Sequence, residues 1–160
     1  MIIMVNVIRE VFGMRTQCIF LSIMMLALIG CQASYEDRSE TMPYRDIVGK
    51  RLKTNVPVTA YGVNESLNPD GQVDYVELRP ELIEGPEIVF SKQVAAGTII
   101  TIERVLVAEY LWRTLLKYQV RTADEGLDSY KVILPASEKY ESGNFGLDSS
   151  VYTEVKSGVN

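Results

Sequence analysis

From Tyr44 onward, apolar and polar positions alternate in short runs that turn residues interrupt. Leu52 to Ala60, broken by Pro57, puts Val56, Val58 and Ala60 on one side, and Val73 to Leu78 alternates over a few residues. Gly85-Pro86 opens the run Glu87 to Val94, and Ala96-Gly97-Thr98 reads as a turn feeding the β-branched stretch Ile99 to Val107. Tyr130 to Leu134 is bounded by Gly126 and Pro135, and Val151 to Val155 comes last. A two-residue period with β-branched residues and Gly/Pro punctuation is the signature of strands. Six such runs predict an all-β domain, a small antiparallel barrel or sandwich.

One stretch carries two periodicities. Ala108, Leu111, Trp112, Leu115 and Leu116 share a helical face, and Glu109 and Arg113 are spaced i,i+4. Against a helix, no capping residue precedes the stretch, and Leu116 to Thr122 leaves it in strand-like alternation. A hairpin is favoured, with Thr98–Val107 returning as Leu111–Thr122. Tyr110 and Trp112 would then line either the core or a binding face, and they are the candidate binding residues.

The front of the chain is different in kind. Between Arg15 and Glu36 there is no charged residue, and Cys18 to Gly30 is almost continuously apolar. As a helix that run would reach only about 20 Å at roughly 1.5 Å per residue, short of a hydrocarbon core about 30 Å thick. Its length instead suits the apolar region of a secretory signal over residues 1–30, with Arg15 supplying the positive flank. Met14 would begin a more compact signal of the same kind. The polar, aperiodic stretch 32–43, ending at Pro43, reads as a flexible tether, which leaves 44–160 as a single β domain.

The apolar run ends in Leu28-Ile29-Gly30-Cys31, followed abruptly by polar residues from Gln32. This junction resembles the lipobox of bacterial lipoproteins: an aliphatic residue three before the cysteine and a small one just before it. The resemblance covers residues 14–31. It implies cleavage between Gly30 and Cys31, with Leu28, Ile29 and Gly30 read by the peptidase, and acyl chains carried on Cys31. Each buried methylene contributes about 0.8 kcal/mol, so two or three chains hold stably where one does not. The alternative is a plain secretory signal, but Gly30 after Leu28 and Ile29 lacks the Ala-x-Ala pattern of that cleavage. Gln32 is not the aspartate associated with inner-membrane retention, so in a Gram-negative host the resemblance implies the periplasmic leaflet of the outer membrane.

Charge and missing residue types narrow the chemistry. Removing residues 1–30 takes away Arg9, Arg15 and Glu10, leaving 14 basic against 20 acidic residues. An acidic domain whose one basic run is Lys50-Arg51-Leu52-Lys53 is a poor partner for nucleic acid. The chain has no histidine, and Cys18 leaves with the signal while Cys31 takes lipid. Ser-His-Asp and Cys-His catalysis therefore lack their residues, as do His/Cys zinc sites, and no intrachain disulfide is expected. No Gly-rich phosphate loop or dinucleotide fingerprint occurs, so neither cofactor nor metal is expected. Asn68 to Asp74 begins like a calcium loop, but its twelfth position is Arg79, and Pro69-Asp70-Gly71 reads as a turn.

Nine tyrosines, at 35, 44, 61, 75, 110, 118, 130, 140 and 152, suit strands in which the ring packs and the hydroxyl stays wet. Clustered on one face, they would hold a glycan or peptide. Residues 136–146 read as a long loop or a frayed terminus before the last strand. The Gly-Thr turn leading into a β-branched strand resembles SH3-like barrels of envelope lipoproteins over residues 45–135, which implies a binding or scaffolding module. The expectation is a lipid-anchored, non-enzymatic module for an envelope protein or glycan partner. The rivals are a carboxylate-based glycan hydrolase and a carrier of a small apolar ligand inside the barrel.

Overall fold

The computed structural model describes residues 34–68, 70–109, 114–136 and 145–155. By internal contact the chain divides into Met1–Ser34 and Tyr35–Asn160, and the fold below is that of the second unit. It is all-β, with strands β1 (Glu36–Asp37), β2 (Arg51–Thr54), β3 (Val58–Val63), β4 (Tyr75–Arg79) and β5 (Ile88–Val94). They are followed by β6 (Ile99–Glu109), β7 (Thr114–Thr122), β8 (Val132–Ala136) and β9 (Tyr152–Glu154). Helix is confined among the described residues to two single 3-10 turns, Tyr44–Asp46 and Glu125–Leu127. No helix among them is long and apolar enough to cross a membrane.

The strands form one sheet in the order β5-β3-β4-β8-β7-β6-β2-β9, and β1 lies against β6 beyond the part that β2 covers. Every pairing is antiparallel except β4 with β8. Two short links connect strands far apart in this order: 55–57 joins β2 to β3, and 95–98 joins β5 to β6. They oblige the sheet to fold over on itself, giving the barrel- or sandwich-like form predicted. Thr54 fastens this closure. Its backbone N–H donates to the Thr98 carbonyl at 3.1 Å, its carbonyl accepts from the Gly97 N–H at 2.7 Å, and its hydroxyl donates to the Ala95 carbonyl at 3.0 Å. Gly97 makes the turn in the left-handed region, at φ +87°, where a side chain would be strained.

The inward rows of this sheet form a single apolar cluster. Across β6, β7 and β8, one register row carries Val107, Leu116 and Ala136, and the next inward row carries Val105, Tyr118 and Leu134. Ile47, just after the first 3-10 turn, and Leu127, in the second, are buried in the same cluster.

The favoured hairpin is present. Glu109 pairs with Thr114, and the ladder runs back through a register shift between Ile102 and Arg104 to Ile100 opposite Thr122. Cross-strand pairing has overridden the helical periodicity at Ala108, Leu115 and Leu116, while Leu111 and Trp112 lie outside the described residues. The run read as Leu52 to Ala60 is two strands, split at Asn55-Val56-Pro57 where the chain changes sheet position. Within the stretch read as a tether, Glu36–Asp37 pairs with Leu106 and Val107, and the Ser39 hydroxyl accepts from the Val105 N–H at 2.9 Å. Of the stretch 136–146, residues 137–144 lie outside the described residues; Phe145 at its end, and Leu147 just after it, are buried in the core.

Candidate functional site

Three distant segments meet at one end of the sheet to form a groove of about 320 Å³. They are Arg79-Pro80-Glu81 at the exit of β4, Pro135-Ala136 at the end of β8, and Gly146-Leu147-Asp148 with Val151-Tyr152 leading into β9. Each is held by the fold. The Tyr61 hydroxyl, from β3, donates to the Glu81 carbonyl at 3.1 Å and accepts from the Ile83 N–H at 3.2 Å, fixing the chain that leaves β4. Pro135 and Ala136 sit opposite Lys117 and Leu116 in the β7–β8 ladder. The third segment is anchored at both ends: the Tyr118 hydroxyl donates to the Phe145 carbonyl at 2.5 Å, and the Asn55 N–H donates to the Val151 carbonyl at 2.7 Å.

Asp148 shapes the turn between those anchors. Its Oδ1 accepts from both the backbone N–H and the hydroxyl of Ser150, at 2.8 and 2.7 Å, and its carbonyl accepts from the N–H groups of Val151 and Tyr152. The Ser150 bonds favour the ionised carboxylate and hold its pKa below the usual range. Glu81 and Asp148 thus bring two carboxylates to the groove. The Arg79 guanidinium lines it too, but its Nε is engaged by the buried carboxylate of Glu77. Its charge is thereby largely offset, and the groove has a negative surplus.

Tyr152 is the unusual member. The residue is 4% exposed, and its hydroxyl is a buried polar atom without a hydrogen-bond partner among the described residues. Burial, then Glu81 and Asp148, push its pKa up, so the phenol keeps its proton. Buried hydroxyls are nearly always bonded, and one that is not calls for an explanation.

No family model, curated protein or solved structure matches this chain. The groove therefore has to be read from its own residues.

The residues singled out in the sequence fall elsewhere. Leu28, Ile29, Gly30 and Cys31 lie outside the described residues, and so do Tyr110 and Trp112, in the link between β6 and β7. The described tyrosines do not gather into one face. Tyr61 and Tyr118 are buried with their hydroxyls committed to the backbone, and Tyr130 lies 5.6 Å from the Phe90 ring. Tyr35 and Tyr75 share the Lys117 ammonium, 4.6 and 5.8 Å from their ring centroids. Sequence reading missed Glu81, Asp148 and Tyr152 as a set. The one local signal was Asp148-Ser149-Ser150, a combination that builds side-chain-to-backbone turns.

Proposed function

We propose that this protein is a lipid-anchored, non-enzymatic binding module of the bacterial cell envelope. In this reading it is cleaved before Cys31, fastened to a membrane by acyl chains on that cysteine, and binds an envelope partner in the groove at Tyr152. The anchor is supported by Leu28-Ile29-Gly30-Cys31 at the end of an apolar run too short to span. One observation carries the binding half: a buried, protonated hydroxyl left without a partner beneath a groove lined by Glu81, Asp148 and apolar walls. A hydroxyl in that state costs stability unless something outside the described fold satisfies it.

In this reading the chain from the lipid on Cys31 to the first strand, which begins at Glu36, is five residues long. If the host is Gram-negative, Gln32 favours the periplasmic leaflet of the outer membrane.

Intact-mass analysis of protein harvested from membranes tests the anchor. The expected species lacks residues 1–30 and carries diacylglyceryl and acyl mass on Cys31. An unprocessed amino end or a bare thiol would refute it. Chemical crosslinking from position 81 in intact envelopes tests the binding half, which fails if the same products form when Tyr152 and Asp148 are both replaced.

A further inference from the structure

The segment that leads into the domain is held without any share in its core. Residues 34–46 include no buried side chain, and the first core residue among the described residues is Ile47. Yet Glu36–Asp37 is a strand, paired antiparallel with Leu106 and Val107 of β6. We propose that residues 35–39 form a releasable strap, which docks on β6 and peels away as a unit while the rest of the domain stays folded.

The edge of β6 explains the docking. β2 pairs with Ile99–Thr101, and the Ile102 N–H donates to the Lys50 carbonyl at 3.0 Å. Farther along, Val105 to Val107 would present an open strand edge. The strap closes it: the Arg38 N–H donates to the Val105 carbonyl at 2.9 Å, and the Val105 N–H donates to the Ser39 hydroxyl at 2.9 Å. That hydroxyl donates in turn to Asp37 Oδ1 at 2.5 Å, which also accepts from the Ser39 N–H.

Release strands none of the charges involved. The Lys117 ammonium lies 4.6 Å from the Tyr35 ring centroid and 5.8 Å from that of Tyr75, so it keeps a ring when Tyr35 leaves. Asp37 and Arg104 are 3.9 Å apart and both about half exposed, a pair that water replaces at little cost. Arg38 pairs with Glu36 at 2.8 Å inside the strap, and that contact travels with it. On the same edge of β6, by contrast, β2 cannot leave without drawing Leu52 out of the core. A segment tied by exposed backbone bonds, with no buried side chain, opens at a far lower cost than a core strand.

The consequence for reach rests on the anchored reading; the release itself does not. Freeing residues 36–43 adds roughly 28 Å of chain between Cys31 and the domain, at about 3.5 Å for each of eight residues. One anchored copy would then serve partners at two distances, close in with the strap docked and farther out with it released.

Amide hydrogen exchange of the full chain in detergent micelles, resolved by NMR, tests the release. The Arg38 and Val105 amides should share one protection factor, about 100-fold or more below that of the Ile102 amide on the same edge. Ser39→Ala removes the acceptor for Val105 and leaves the Arg38 bond intact, so faster exchange at Arg38, by about 3- to 10-fold, reports release of the whole strap. Lys117→Gln should shift Arg38 in the same direction. The inference is overturned if Arg38 and Val105 exchange as slowly as Ile102, if they are wholly unprotected, or if Ser39→Ala speeds Val105 alone. Because exchange does not depend on acylation, a bare Cys31 thiol alongside shared, weak protection at Arg38 and Val105 would sink the anchor and leave the strap standing.

Discussion

Replacing Tyr152 with phenylalanine should make the protein more stable, an unusual sign for a change at a buried residue. The ring stays where it is, 4% exposed and packed in the core, and only a hydroxyl without a partner is lost. A buried polar group left unsatisfied costs about 1–3 kcal/mol, and removing it returns that amount. For a domain of this size each kcal/mol moves the melting midpoint by roughly 3–5 °C, so the midpoint should rise by several degrees. Tyr118→Phe is the control of opposite sign. It removes the same atom from the same residue type, but that hydroxyl donates to the Phe145 carbonyl at 2.5 Å. The change strands a buried acceptor and should lower stability by about 1–3 kcal/mol. Both variants are compared by thermal unfolding of the full chain, followed by circular dichroism in the same detergent. If Tyr152→Phe lowered the midpoint as Tyr118→Phe does, the Tyr152 hydroxyl would have a partner within the fold, and the reading of the groove would lose its central observation.

Two further outcomes follow from packing and charge. At Gly62 a Cβ would run into the Phe90 ring, which packs on the core and lies 5.6 Å from Tyr130. Gly62→Ala should therefore cost about 1–3 kcal/mol by overpacking, and unchanged stability in denaturant titration would show that the ring yields freely. Burial, then the charges of Glu77 and Glu65, push Tyr75 up to about 12 from an ordinary 10.0. Its folded pKa is raised above the unfolded value, so its contribution is complete below pH 10 and is lost as pH rises from about 10 to about 12. Phenolate absorbance that reports no tyrosine titrating near 12 in the folded protein, or a Tyr75→Phe variant with the same alkaline stability loss, would count against it.

Alternation and punctuation made the strands legible. Ile99 to Val107 and Tyr130 to Leu134 could bury one face only as strands, and Gly97 could only turn the chain. The order of the strands was not legible, since nothing in Val132–Ala136 states that it will run parallel to β4. Pro57 signalled a break but not that the chain there passes between distant positions in the sheet. The groove was less legible still. Its segments are 79–81, 135–136 and 146–152, and only the tertiary fold brings them together. Tyr152 in sequence is one strand tyrosine among nine. What sets it apart is the absence of a bond, a property that exists only once its neighbours are in place.

That absence also links stability to binding. A fold that keeps an unsatisfied buried hydroxyl carries a penalty that a phenylalanine would remove, and such penalties persist chiefly where function requires them. Tyr152→Phe separates the two roles: if the hydroxyl serves binding, the variant should be more stable yet give less crosslinking from position 81 in intact envelopes. A variant that gains stability while its crosslinked products are unchanged would show that the hydroxyl has no part in binding, whatever else the groove holds.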